Sequence, residues 1–198
     1  IENDAGQQTV QNIESIYAST SGDVVDLSHQ TFVLGDLTIS GSHGDDILWS
    51  NAGNDYILGQ DGNDILHGGP GNDYMVGGSG DDIVFGGAGN DVMFGNEGDD
   101  YYEGGAGSDE YYYNNFAQVG PTDTIVEIED GAIDSIVFVD NQYQNVTLSD
   151  LSYEVSGNDL IVTVTENGTG NTADILIVGQ YDSASSGIDQ IVFAQDGV

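Results

Sequence analysis

Apolar residues recur with a nine-residue period between Gly41 and Tyr112, and this pattern predicts the main elements of the fold. In eight consecutive units, the eighth residue is apolar or aromatic: Leu48, Ile57, Leu66, Met75, Val84, Met93, Tyr102 and Tyr111. Successive side chains of a strand point to opposite faces, so a short strand centred on this residue buries it and turns positions seven and nine outward. Each unit is therefore predicted to end in a strand.

Glycine precedes each predicted strand and indicates a turn. Positions one and two of the unit are mostly glycine, which tolerates positive φ, and position four is always glycine: Gly44, Gly53, Gly62, Gly71, Gly80, Gly89, Gly98 and Gly107. Nine residues cannot bury a core alone, so successive units must stack, each strand joining the sheet opposite the previous one. The sequence predicts an all-β fold, a parallel β-roll (right-handed β-solenoid) of two sheets back to back.

Aspartate occupies the sixth position of every unit: Asp46, Asp55, Asp64, Asp73, Asp82, Asp91, Asp100 and Asp109. In the predicted roll, alternate units are neighbours in one sheet, with strands about 4.8 Å apart. The aspartates then form two columns, one containing Asp46 and the other Asp55. Two carboxylates at that spacing repel by about 3.5 kcal/mol at an effective dielectric of 20. The columns therefore need a cation between their turns.

The composition indicates where this cation comes from. The chain has 35 acidic residues, no lysine or arginine and a net charge of −35, so the cation must come from solution. Carboxylate and carbonyl oxygens favour calcium over magnesium, which keeps its waters, and over zinc, which prefers nitrogen or sulfur. We therefore expect folding to depend on calcium. The charge also argues against nucleic acid and anionic membrane surfaces as partners, and no stretch is apolar enough to predict membrane insertion.

The units resemble the glycine- and aspartate-rich nonapeptide of RTX proteins, a calcium-binding β-helix repeat. Residues 68–76 and 86–94 match its pattern in full, whereas Ser42, Asn51, Gln60 and Asn96 replace glycine at position two and Ser50 replaces it at position one. The resemblance implies that several calcium ions lie between alternate turns. It assigns as ligands the position-six aspartates and the position-four glycines named above.

The flanks carry strand signals without the full repeat. Residues 1–40 are predicted to be an N-terminal cap with strands at 13–17, 24–27, 32–34 and 37–39, in which Leu37 stands where the repeat has aspartate. Residues 41–113 form the roll. Residues 114–198 are predicted to be a capping lobe that resembles the module commonly following RTX repeats, with a hairpin pairing 160–165 with 173–178. Asp123 and Asp134 are interpreted as turn carboxylates, with calcium ligation as the alternative.

The outward positions seven and nine are unusually apolar on both predicted sheets. Contiguous apolar faces indicate either cover by the rest of the chain or contact with a partner. We expect the flanks to cover one or both faces. The alternative is a ligand surface around the aromatic cluster near the last repeats, with contacts from Asp99, Tyr101, Tyr102, Tyr111 and Tyr112.

No catalytic constellation is apparent, so we expect a non-enzymatic protein. Neither a zinc-protease His-Glu-x-x-His motif nor a nucleophile elbow is present, and nothing marks His29, His43 or His67 as catalytic.

The resemblance favours a calcium-dependent, extracellular, ligand-binding module of a large bacterial RTX adhesin exported by type I secretion. We expect a monomeric module within a longer chain that binds a cell-surface peptide, protein or glycan. A ligand carboxylate would complete an exposed calcium shell near Asp99, Asp100 and Asp109, or at the opposite end near Asp45, Asp46 and Asp55. The alternative is a scaffold for calcium-triggered folding and secretion; an ice- or sugar-binding module is a smaller possibility.

Overall fold

A computed structural model describes residues 13–29, 35–113, 122–127, 132–140, 150–156, 158–165, 172–178 and 188–195. The main elements in these ranges are strands. They are β1 (Ser15–Tyr17), β2 (Val24–Asp26), β3 (Thr38–His43), β4 (Ile47–Trp49), β5 (Tyr56–Asp61), β6 (Ile65–Pro70), β7 (Tyr74–Ser79), β8 (Ile83–Ala88), β9 (Val92–Glu97), β10 (Tyr101–Ala106), β11 (Glu110–Tyr113), β12 (Thr122–Val126), β13 (Ser135–Asp140), β14 (Leu151–Ser156), β15 (Asp159–Thr165), β16 (Thr172–Val178) and β17 (Gln190–Gln195).

The strands form two sheets in which consecutive repeats alternate. The first has the order β1-β3-β5-β7-β9-β11-β13-β17, and the second has the order β14-β15-β16-β12-β10-β8-β6-β4-β2. Pairing through the repeats is parallel, as for Tyr56 with Tyr74 in the first sheet and Ile65 with Ile83 in the second. The predicted architecture, a parallel β-roll of two sheets, is confirmed.

The core lies between the two sheets and consists of the position-eight side chains. All eight are at most 1% exposed, and Ile39 extends the row at the N-terminal side. Ile125, Ile136 and Ile175 extend it at the C-terminal side. The nine-residue apolar period thus correctly predicted which residue of each unit is buried.

The strands are longer than the three residues that the pattern predicted. Most repeat strands span six residues, from position seven of one unit to position three of the next, as in β6 (Ile65–Pro70). The extension arises because the parallel pairing continues through the position-two glycines: Gly69 pairs with Gly87, and Gly87 pairs with Gly105. The glycines therefore bend a continuous strand rather than end it.

The N-terminal flank adds two rungs to the roll. β1 pairs in parallel with β3, and β2 pairs in parallel with β4. Leu37 is buried at the aspartate position of its degenerate unit, and its amide donates to Asp55 Oδ1 at 2.7 Å. The degenerate repeat therefore keeps the backbone pattern without contributing a carboxylate. The strand predicted at 32–34 lies outside the described residues.

The C-terminal flank continues both sheets. β12 pairs with β10 and β13 pairs with β11, both in parallel, and β16 and β17 add the next parallel strands. The predicted hairpin is confirmed: β15 and β16 are antiparallel, with Leu160 opposite Ile177. The division into cap, roll and lobe stays a prediction, because these flanking strands join the same sheets as the repeats.

The described flanking strands extend the ends of the sheets, and parts of the outer faces remain exposed. Trp49 on the second sheet is 37% exposed, and Tyr56 and Tyr74 on the first are 41% and 37% exposed. These three rings thus present an aromatic surface to the outside on each side of the roll.

Candidate metal centre and outer faces

The position-six aspartates form two buried columns tied to the backbone. In each column, one carboxylate oxygen accepts the amide of the aspartate two units earlier. Asp64 Oδ1 accepts from Asp46 N at 2.7 Å, and Asp82 Oδ1 accepts from Asp64 N at 2.8 Å. In the other column, Asp91 Oδ1 accepts from Asp73 N at 2.8 Å. The Oδ1 atoms therefore have hydrogen-bond donors from the backbone. Whether a column needs a further partner depends on its Oδ2 atoms.

The second oxygens of the columns are buried and require a partner. Oδ2 of Asp46, Asp64, Asp73, Asp82 and Asp91 has no hydrogen-bond partner among the described residues. A buried carboxylate oxygen without a donor is costly, and a calcium ion would satisfy it with the hard oxygen ligands that this ion prefers. The donor set of the columns therefore fits calcium.

The surroundings of the Asp55 carboxylate differ from those of the other column aspartates, because its unit begins with Ser50 and not with glycine. The Ser50 hydroxyl donates to Asp55 Oδ2, so this carboxylate has a protein donor on both oxygens. The departure from glycine at position one thus places a hydroxyl donor beside the second carboxylate oxygen of this unit.

Position-one carbonyl oxygens lie close to these Oδ2 atoms. A Cβ added to Gly41 would collide with Asp46 Oδ2 and lie 2.8 Å from the carbonyl oxygen of Gly59. The carboxylate oxygen and the carbonyl oxygen therefore border the same space. The position-four carbonyls lie elsewhere: that of Gly44 packs against Gly62, two units on. The assignment of position-four glycines as ligands stays a prediction, and sequence reasoning missed the position-one carbonyls.

Burial raises the pKa of the column carboxyls, with neighbouring carboxylates adding a smaller effect. The pKa is about 6 for Asp64, about 7 for Asp73 and about 8 for Asp82, all from the ordinary 3.8. Desolvation is the largest cause in each case. The sequence pointed to repulsion between aspartates, and burial adds the cost of removing water from their carboxylates.

The columns continue beyond the repeats at both ends. Asp123 Oδ1 accepts from Asp100 N at 2.9 Å, and Asp134 Oδ1 accepts from Asp109 N at 3.0 Å. At the other end, Asp46 Oδ1 accepts from Asp23 N at 2.6 Å. Asp123 and Asp134 therefore take the column position rather than serving only as turn carboxylates.

This continuation bears on the exposed calcium shells predicted at the two ends, which stay a prediction. Asp100 and Asp109 are 1% and 0% exposed, and Asp46 and Asp55 are 0% and 2% exposed. Only the exposed position-five neighbours, Asp45 and Asp99, remain at the surface at the two predicted ends. A ligand carboxylate therefore has no open access to the four column aspartates.

A further acidic cluster follows the last repeat. Asp109, Glu127 and Asp134 are buried, and a ligand atom from each lies within 4.8 Å of the others. The Tyr111 hydroxyl donates to Glu127 Oε1. Sequence reasoning missed Glu127, because it lies after β12, outside the nine-residue period that identified the other acids.

Two of the predicted ligand contacts lie inside the roll. Tyr102 and Tyr111 are 1% and 0% exposed, and the Tyr102 hydroxyl hydrogen-bonds to the Asp100 carboxyl. The prediction that these two rings contact an external ligand does not agree with their burial. Tyr101 and Tyr112 lie on the outer faces, and Asp99 is exposed with Oδ1 accepting from Thr122 N at 3.2 Å.

Aromatic rings form contiguous rows on the outer faces. On the second sheet, the His67 ring stacks on Phe85 at 4.5 Å between centroids and meets Trp49 edge-on at 4.6 Å. On the first sheet, Tyr56 stacks on Tyr74 at 5.0 Å, and Phe94 stacks on Tyr112 at 4.8 Å. Burial lowers the pKa of His67, so this residue is a packed, neutral ring of the row.

A pocket of about 510 Å³ borders the row on the second sheet. Trp49, His67 and Phe85 form its aromatic side, and the turn residues Asn51, Pro70 and Gly87 are among its other lining residues. Of the other two histidines, His29 also lines this pocket, and His43 pairs with Asp61 at 2.7 Å in an exposed position.

The comparisons with known proteins identify the repeats. Residues 40–75 and 76–111 each match the family described as RTX calcium-binding nonapeptide repeat (4 copies). No curated protein matches the chain. Among solved structures, the chain is similar to the solution structure of the AlgE6R3 subunit from the Azotobacter vinelandii mannuronan C5-epimerase, with 19% identity, 85% of this chain and 76% of that chain covered, and a TM-score of 0.35. The described residues include no helix long and apolar enough to cross a membrane.

Proposed function

We propose that this chain, whose residues 40–111 are RTX calcium-binding repeats, is a calcium-dependent ligand-binding module that acts outside the cell. Calcium supplies the positive charge that the chain lacks, and the position-six aspartates would hold it. The backbone hydrogen bonds on Oδ1 orient each carboxylate, and burial between the sheets keeps water from Oδ2. The protein thus fixes the ligand atoms, and the ion makes their burial favourable.

The observation that carries ligand binding is the exposed aromatic surface on the outer faces. A module needed only for export would work equally well with polar residues at positions seven and nine. Here Trp49, Tyr56 and Tyr74 each expose more than a third of their surface. Aromatic side chains of this kind supply much of the binding energy at protein interfaces.

We place the module in a large bacterial adhesin exported by type I secretion, binding a peptide or protein on a cell surface. The acidic composition supports an extracellular setting, because the buried columns need more calcium than a cytosol provides. The binding surface is the outer aromatic face. This location replaces the predicted open calcium shell, since the column aspartates at both predicted ends are buried.

The test is a binding screen of the folded module against peptide and glycan libraries, each with calcium and with a chelator. We expect a hit in calcium that is lost on chelation. Circular dichroism in both conditions would show whether chelation also unfolds the module. A folded module that binds nothing in either library would overturn the proposed binding function.

A second candidate function is a scaffold that stays unfolded during export and folds on meeting calcium outside. The observation that favours it is the set of buried carboxylate oxygens without donors, which makes the metal-free fold costly. We expect chelation to unfold the chain cooperatively and calcium at about 10⁻⁴ to 10⁻³ M to restore it. Equal β-content in chelator and in calcium would contradict both functions, because both need calcium-dependent folding.

A further inference from the structure

One row on the outer face of the second sheet combines aromatic rings with carboxylates at both ends. Register pairs Asp26 with Trp49, Trp49 with His67, His67 with Phe85 and Phe85 with Glu103. The five residues therefore lie side by side across β2, β4, β6, β8 and β10. Strand spacing of about 4.8 Å places the two acidic ends about 19 Å apart.

The middle of this row is open to a ligand. Trp49 is 37% exposed, and the three rings form one side of the 510 Å³ pocket. The rings contact one another at 4.5 and 4.6 Å between centroids. His67 and Phe85 are stacked and each covers one face of the other, so Trp49 provides the most exposed ring surface of the row. Asp26 is exposed and Glu103 half-buried at its ends.

Charge restricts what this surface attracts. The chain has 35 acidic residues and no lysine or arginine, and most of those acids lie outside the position-six columns that calcium would neutralise. The field therefore repels anionic ligands and a second copy of this chain, and it attracts cations. Aromatic faces bind lysine and arginine side chains, most strongly when tryptophan is present.

We propose that the row Asp26–Trp49–His67–Phe85–Glu103 binds a basic peptide segment, with arginine or lysine side chains over the rings and against the two terminal carboxylates. This inference rests on the proposed ligand-binding function and specifies its ligand class. An extended peptide advances about 3.3 to 3.6 Å per residue. About six residues therefore span the row from one carboxylate to the other.

The experiment uses a blocked hexapeptide with arginine at both ends and glycine and serine between them, titrated in calcium at about 0.15 M salt. Trp49 is the only tryptophan, so its fluorescence reports binding at this row. We expect a saturable change with the arginine peptide. The same peptide with citrulline in place of arginine keeps the shape but not the charge, and it should bind at least about fivefold more weakly.

Matched variants distinguish the row from diffuse attraction to an acidic protein. Calorimetry should show about two- to fivefold weaker binding for Trp49→Ala and for Glu103→Gln. Tyr153→Ala removes a more exposed ring, 80% against 37%, from β14 at the far edge of the same sheet. Glu154→Gln removes an exposed acid at the far edge of the same sheet. Both controls should retain wild-type affinity, and Trp49→Leu replaces Trp49→Ala if the latter does not fold in calcium.

The outcomes separate this inference from the function on which it rests. Equal losses for row and control variants, or equal binding of the citrulline peptide, would overturn the row as a cation site. Binding of a neutral oligosaccharide such as cellohexaose, with a Trp49 response and without peptide binding, would assign the surface to glycans and leave the module's binding function intact. Absence of binding to every peptide and glycan would overturn both the cation-binding row and the proposed ligand-binding function.

Discussion

At the scale of single residues, the repeat glycines serve two different physical needs. Those at position four, such as Gly71 with φ of 146°, and most at position two, such as Gly87 with φ of 115°, adopt positive φ as predicted. The position-one glycines are not among the positive-φ residues. They are needed because a Cβ would collide with the neighbouring aspartate Oδ2, as at Gly77 and Asp82.

Positive φ at position two identifies residues at which glycine would be more stable. Ser42, Gln60 and Asn96 have φ of 90°, 87° and 78°, a region that costs residues with a Cβ about 1–2 kcal/mol. Ser42→Gly should therefore raise the free energy of unfolding in calcium by about 1 kcal/mol, measured by chemical denaturation. Ser79→Gly is the control, because Ser79 sits in a repeat strand without positive φ and should lose stability. A loss in Ser42→Gly would show that the serine side chain contributes more than its backbone costs.

At the scale of elements, the sequence was informative where the nine-residue period held. β5 to β11 and the two aspartate columns followed from it. β12 and β13 join the same sheets, but Asp123 follows Asp100 by 23 residues and Asp134 follows Asp109 by 25, instead of the 18 of the repeats. Without a common period, sequence could not show that these strands cover the column ends. The open calcium shells at the column ends were predicted without these strands, and they stay a prediction.

The aspartate columns predict a variant whose effect on the free energy of unfolding changes sign when calcium is present. Asp82→Asn keeps an oxygen for the Asp64 amide, which now donates to Asp82 Oδ1 at 2.8 Å, and removes a charge from the middle of a column. Because burial raises the Asp82 pKa to about 8, this variant should be more stable than wild type in chelator at pH 8. In calcium it should be less stable, and its calcium midpoint for folding should rise about tenfold.

The neighbouring Asp81→Asn provides the matched control for this inversion. Asp81 is exposed and accepts from Asp99 N at 3.0 Å, an acceptor role that asparagine already fills at Asn63. Thermal unfolding by circular dichroism, with and without calcium, should show little change for Asp81→Asn in either condition. If Asp82→Asn destabilised the chain equally in both conditions, the carboxylate would be acting through packing rather than through calcium.

At the scale of the whole molecule, protonation and calcium binding should each offset the cost of burying charged carboxylates. A carboxyl whose pKa is raised in the folded state stabilises the fold at low pH and stops doing so as the pH rises through its folded value. For the columns, these values run from about 6 at Asp64 to about 8 at Asp82 and Asp123, against 3.8 for the ordinary carboxyl. The C-terminal end shares this behaviour, because the column continues to Asp123 in the flank, whereas hydrogen bonds from Ser19 lower the pKa of Asp23 at the N-terminal end.

Metal-stripped protein should therefore be most stable near pH 4 and lose stability progressively as the pH rises to about 8, whereas calcium-loaded protein should show the opposite slope. The slope reverses because calcium binds the deprotonated carboxylates, so protons compete with the ion at low pH. Thermal unfolding followed by circular dichroism from pH 4 to pH 8.5, on the stripped and the loaded protein, measures both slopes. Equal stability of the stripped protein at pH 4 and pH 8 would show that the column carboxylates do not limit metal-free folding, and the cost that calcium offsets would have to lie elsewhere in the roll.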